Sequence, residues 1–136
     1  MGAQNIRFAS EEHRDFFLSM MSKSRRNDSY HCSFFYVMGI APETRANIQQ
    51  MFNFKEDCTE PDGMHGGWQT SGTVRVCRLA FNLWNGYTEP EQSNAFSPED
   101  LFCCEFAPYF MEGIKIRYPE YCRELAPVKK QAEPAR

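Results

Sequence analysis

The sequence contains no long apolar run. No window offers the roughly 18 consecutive apolar residues that a membrane-spanning helix requires, so the sequence predicts no transmembrane segment. "MGAQNIRFAS" has no apolar stretch of the signal-peptide kind, and Ile6 stands where a myristoylation pattern needs Ser or Thr. The expected location is therefore the cytoplasm. There is no C-x-x-C and no H-x-x-x-H, and only three histidines are present. Cys58, His65, Cys103, Cys104, Cys122 and the pair His31–Cys32 thus lack the spacing of a structural zinc site, and neither a metal nor a cofactor is expected. In the cytoplasm the six cysteines are expected as reduced packing thiols.

No serine elbow is visible, and no histidine stands beside a cysteine in a way that marks a nucleophile and its base. His31, inside an aromatic segment, reads as a hydrogen-bonded core residue. Asp62 and Glu60 are carboxylates in a Pro/Gly-rich loop, a common surface arrangement. The chain is expected not to be an enzyme. A net charge of -3 is too small for a basic nucleic-acid face and too small for a dense acidic mimic of DNA. Local charge is less even. Between residues 88 and 112 no Lys or Arg occurs, whereas Glu89, Glu91, Glu99, Asp100, Glu105 and Glu112 all fall there.

What is present suits one core. Twelve Phe, six Tyr, two Trp and seven Met lie in 136 residues, a length that folds as one domain, expected over residues 1–125 with a flexible tail at 126–136. The elements read as helical, giving an all-α domain of five to six short helices. Ser10 caps a first helix with Glu11 and Glu12 in its opening turn and Phe16, Phe17, Met20 and Met21 on one face. "SYHCSFFYVMGI" reads as a more buried second helix ending near Gly39, and Pro42 opens a third that carries Ile48, Met51 and Phe52 inward. Turn formers then make residues 55–67 a long loop.

A fourth helix is expected from Ser71 to Trp84, with Val74, Cys77, Phe81 and Trp84 at steps of three and four and Asn85–Gly86 as its stop. After a second loop, "TEPEQSNAF", Ser97 and Pro98 open another helix. Pro108 and Pro119 divide the rest into short helices around Tyr109–Tyr118 and Glu120–Leu125.

The start of the fourth helix invites a functional reading. Gly67 and Gly72 have the spacing of a phosphate loop, but Thr73 occupies the place of its lysine and no strand precedes the first glycine. That excludes a nucleotide hydrolase of this type. A more general anion site survives on paper: Thr70, Ser71 and Thr73 at a helix N-terminus, Arg75 and Arg78 three apart, and Trp68 to stack on a ring. The alternative is that Ser71 only caps the helix and the arginines pair with acids.

The stretches "MFNFKEDC", "GWQTSGTVRVCRLAFNLWNGY" and "CEFAPYFMEGIKIRYPEYCRE" resemble a family of small, functionally uncharacterised proteins carried by conjugative elements and phages of Gram-positive gut bacteria. The likeness spans roughly residues 6–124 and transfers no catalytic residue. It implies a setting in which small accessory proteins antagonise host immunity, including CRISPR effectors and nucleotide signalling.

Three roles follow as expectations. The first is an anti-CRISPR-like inhibitor that docks on a host effector through the acidic stretch or exposed aromatics, with Tyr87, Glu89, Glu91, Phe96 and Glu99 at the contact. The second is a sponge that sequesters an anionic nucleotide signal through Trp68, Thr70, Ser71, Thr73, Arg75 and Arg78. The third is a maintenance or regulatory factor of the element itself.

Overall fold

The computed structural model describes residues 5–122 and 125–128, and the fold is all-α with one small hairpin. Local chemistry sets most helix ends. In α1 (Glu11–Ser24) the Ser10 side chain accepts the His13 N–H, and the helix stops at Arg25 in a left-handed conformation, φ 60°. In α2 (Ser29–Met38) Asp28 caps in the same way, accepting the His31 N–H at 2.8 Å.

Every residue of α2 from His31 to Met38 is buried. A helix apolar all round belongs in the middle of a domain, and α2 lies against α1, α4 (Ser71–Asn85) and α6 (Phe110–Arg117). Gly113 permits the α2–α6 approach, since a Cβ there would come within 2.5 Å of Val37 Cγ2. Phe34 of α2 stacks on Phe81 of α4 at 5.7 Å, and Phe35 stacks on Phe54 at 5.6 Å. The buried face of α4 is broader than its three-and-four spacing indicates. Cys77 and Phe81 are buried as expected, but Val74 and Trp84 are half-buried, while Val76, Leu79, Ala80 and Leu83 join the core.

His13 is fully buried where α1 meets α2. Its Nδ1 accepts the Ala9 N–H at 3.0 Å and its Nε2–H donates to the Tyr36 carbonyl at 2.7 Å, which fixes a neutral tautomer. Burial pulls its pKa down to about 4; the Tyr36 bond opposes that shift and Arg45 adds to it.

Several expected elements differ. The third helix, α3 (Pro42–Ala46), ends early because the Asn47 side chain donates back to the Glu43 carbonyl, and a 3-10 turn over Ile48–Gln50 replaces the rest. Ile48, Met51 and Phe52 are buried regardless. The expected loop at 55–67 is largely ordered. Strand β1 (Phe52–Asn53) pairs antiparallel with β2 (Cys58–Thr59), Phe52 opposite Thr59 and Asn53 opposite Cys58, and a 3-10 helix covers Pro61–His65. In the hairpin turn the Asn53 side chain accepts the Glu56 N–H, and Asp57 takes φ 57°.

Residues 90–96 form a 3-10 segment rather than a loop, and α5 (Pro98–Leu101) is a single turn. Ser97 holds the N-cap place, but its hydroxyl turns back to the Asn94 carbonyl instead of capping. A short 3-10 turn, Ala107–Tyr109, leads into α6. Tyr118 to Cys122 make a turn, not the start of the helix expected to Leu125; residues 123 and 124 lie outside the described residues, as do 129–136 of the expected tail. All six cysteines are free thiols, and burial pushes that of Cys77 up to about 12. Among the described residues no helix is long and apolar enough to cross a membrane.

Candidate functional site

The first turn of α4 is closed by its own residues. Thr70, not Ser71, is the N-cap: its Oγ1 accepts the Thr73 N–H at 3.1 Å, while Thr73 Oγ1 accepts the Thr70 N–H at 2.7 Å. This is a reciprocal capping box with Thr in place of the usual Glu, and a cap of this kind contributes about 1 kcal/mol. Thr73 is buried and its hydroxyl also donates to Gln69 Oε1. Ser71 is the first helical residue, and its carbonyl accepts from Arg75 at 2.9 Å. A Cβ on Gly72 would lie 2.8 Å from Glu105 Oε1 and 3.0 Å from the Phe106 ring, so a carboxylate of the chain itself lies beside this turn, a charge that disfavours a further anion there.

The remaining residues of the expected anion site diverge. Arg75 reaches α5, its Nε donating to the Asp100 carbonyl at 2.8 Å and to Asp100 Oδ1 at 3.1 Å. Arg78 donates to Gln92 Oε1 at 3.1 Å and sits 5.9 Å from the Phe96 ring, with its Nε buried and unpartnered. Trp68 turns to the 3-10 turn after α3, donating to Gln50 Oε1 at 3.2 Å. Thr70 and Thr73 are together; Trp68, Arg75 and Arg78 go to three different elements. Arg75 and Arg78 are tie points that hold α5 and the 90–96 segment onto α4.

That tie shapes the acidic stretch. Arg75, Asn94, Ser97, Glu99, Asp100 and Cys103 line an open cavity of about 620 Å³. Glu91, Glu99 and Glu105 are exposed. Glu89 is mostly covered and pairs with His65 at 3.0 Å. The two aromatics expected at the surface are not free. Phe96 is only 8% exposed, because the 90–96 segment folds back on α4, and Tyr87 is half-buried between Phe81 (5.9 Å) and Phe96 (6.1 Å). Of the expected contact residues, Glu91 and Glu99 remain on the surface and Glu89 is partly held.

His31 is a buried, hydrogen-bonded residue as its aromatic segment suggests, but the sequence reading named neither of its carboxylate partners. This buried ring bridges two carboxylates, Nδ1 to Asp28 Oδ1 at 2.8 Å and Nε2 to Asp57 Oδ1 at 2.7 Å, beside Trp84 at 4.8 Å. It fastens the hairpin turn to the start of α2. Burial works to raise the Asp28 pKa, but hydrogen bonds from the His31 backbone and ring and from Tyr30 outweigh it and hold the carboxyl below the usual aspartate range. The carboxylates sit on opposite sides of the ring and do not converge. Among the described residues no group of three or more His, Cys, Asp or Glu is placed to hold a metal ion. An Asp three residues before a His at a helix start was the available signal; the partner at Asp57 had none.

Compared with known families, residues 3–130 match a family of unknown function, DUF6075. The chain belongs to that family. No curated protein and no solved structure matches it.

Proposed function

We propose that this chain is a non-enzymatic binding protein that docks through its acidic face on a basic surface of another protein. In the setting implied by the family resemblance, that partner is a cytoplasmic effector of host defence and docking inhibits it. The observation that carries the reading is the exposure of Glu91, Glu99 and Glu105 in a stretch without Lys or Arg. Glu99 lines a cavity with Asp100, and the cation in that lining, Arg75, is already bound to Asp100. A face of one sign steers a basic partner and fixes its orientation more than it adds raw affinity. The nucleotide-sponge reading is not favoured, because the α4 cap is closed by Thr70 and Thr73 and its first turn faces Glu105.

The test is charge reversal on exposed positions. Affinity capture with purified protein should recover the partner, and the double variant Glu91→Lys/Glu99→Lys should lose it. Both residues are exposed, so the thermal midpoint should stay within about 2 °C of wild type, as expected for surface changes within ±0.5 kcal/mol. Undiminished capture by the folded double variant would remove the acidic face from the account.

A further inference from the structure

Both nitrogens of the buried His31 ring face carboxylate oxygens. Nδ1 lies 2.8 and 3.0 Å from Asp28 Oδ1 and Oδ2, and Nε2 lies 2.7 Å from Asp57 Oδ1. A neutral imidazole has one N–H and one lone pair, so it donates to one of these acids and turns a lone pair on the other. Two donated bonds need a proton on each nitrogen. Both acids are placed as anions. Asp28 Oδ1 also accepts the His31 backbone N–H at 2.8 Å; burial works to raise the Asp28 carboxyl, but the bonds from His31 hold it below the usual aspartate range. Asp57 turns its second oxygen to Arg26 Nε at 3.5 Å, the arrangement of an ionised carboxylate. The other elements against the ring bring uncharged edges, Trp84 of α4 at 4.8 Å and Phe52 of β1 at 6.2 Å. Cys32, the next residue of α2, has its thiol pushed up by burial and stays neutral.

We infer that His31 is a proton-dependent clasp: with a proton on each ring nitrogen it holds the hairpin turn on α2, and loss of one proton releases Asp57. The bond that gives way is set by the chain. Asp28 caps the same helix three residues away and keeps its backbone bond to His31 in either state, so the remaining proton stays on Nδ1. The Nε2 lone pair then faces Asp57 Oδ1, and an attraction becomes a repulsion. Asp57 also stands in the left-handed region, φ 57°, a conformation that costs an L residue energy and needs support from its surroundings. Phe54 stays in place through its stack on Phe35 at 5.6 Å and through Lys23, 4.3 Å above its ring, so the movement is confined to residues 55–58. The sign is opposite to that of His13. For His31 the protonated ring makes the extra bond, so above the range in which carboxylates take protons the clasp holds on the acid side and is lost as pH rises. This device stands whether or not the acidic face docks a partner.

The test follows the ring and the hairpin in one titration of the full chain, labelled with nitrogen-15. Two-bond proton–nitrogen correlations read each histidine ring nitrogen as protonated or bare, and His31→Gln identifies the His31 signals. The hairpin is read at the Glu56 and Glu60 amides, which donate to Asn53 Oδ1 at 2.9 Å and to the Met51 carbonyl at 2.8 Å. With both His31 nitrogens protonated, the Asp57 and Cys58 amide resonances should hold one position. They should move in step with the ring as it loses a proton, and the Glu56 protection factor should fall about tenfold or more, while Glu60 and the amides of α1 change little. Asp57→Asn keeps the fold testable, since an amide accepts from a protonated Nε2 and donates to a bare one, and Asn tolerates the left-handed conformation. In that variant the hairpin should no longer respond to the ring. A bare His31 nitrogen with the hairpin resonances in the closed position, hairpin amides that ignore the ring's proton, or a full response surviving in Asp57→Asn would overturn the inference.

Discussion

Phe81→Ala should destabilise the protein by about 3–5 kcal/mol, the largest single effect expected from a core truncation here. Phe81 is fully buried, stacks on Phe34 of α2 and meets Tyr87 edge-on, so its removal opens a void between the two central helices. Neither neighbour can close that void easily. Phe34 is fixed by further ring contacts to Phe35, Phe52 and Trp84, and Tyr87 is held by Phe96. Urea unfolding at neutral pH reads the loss as a lower midpoint with an unchanged slope. A loss below about 1 kcal/mol would mean that α2 and α4 do not pack as described.

Acid should remove roughly 3 kcal/mol through one residue, His13. Its folded pKa is about 4 against 6.5 for an ordinary histidine, and each unit is worth about 1.4 kcal/mol. The direction is set by which state binds the proton. Above pH 6.5 His13 is neutral folded and unfolded, and its ring contributes its full hydrogen-bonded stability. As pH falls below 6.5 the unfolded chain takes the proton and the folded chain does not, so stability falls until about pH 4 and then levels. Asp28, whose carboxyl is held low, adds a loss only below the ordinary aspartate value of 3.8, so the two windows separate. Urea midpoints at pH 7 and pH 4.5 should differ strongly in the wild type. In His13→Gln, which is itself destabilised, the difference should shrink. An equal pH dependence in the two proteins would show that His13 is not the buried acid-sensitive group.

The helix ends were legible where one side chain acts on nearby backbone. Ser10 caps α1 as its position suggests, and Gly86 ends α4 with φ 77°. The α4 helix starts at Ser71 as expected, but its cap is Thr70 rather than Ser71: the two are equally good caps by type, and only the reciprocal bond to Thr73 distinguishes them. The hairpin at 52–59 was not legible. Two-residue strands carry no alternation, and this pair is held by stacking of Phe54 on Phe35 and by the His31–Asp57 bond, both remote in sequence. The same limit governs the candidate site. Arg75 and Arg78 looked available because their partners, Asp100 and Gln92, lie 25 and 14 residues away. Phe96 looked exposed because the acidic residues around it hide a segment that folds back on α4.

The central claim is that the acidic face is the docking face, and a hydrogen-exchange footprint of the purified complex tests it most directly. With partner bound, amides of residues 89–105 should gain protection, while those of α1, on another side of α2, should exchange as in the free protein. Protection that misses residues 89–105 and falls elsewhere would contradict the claim, even if the complex is tight.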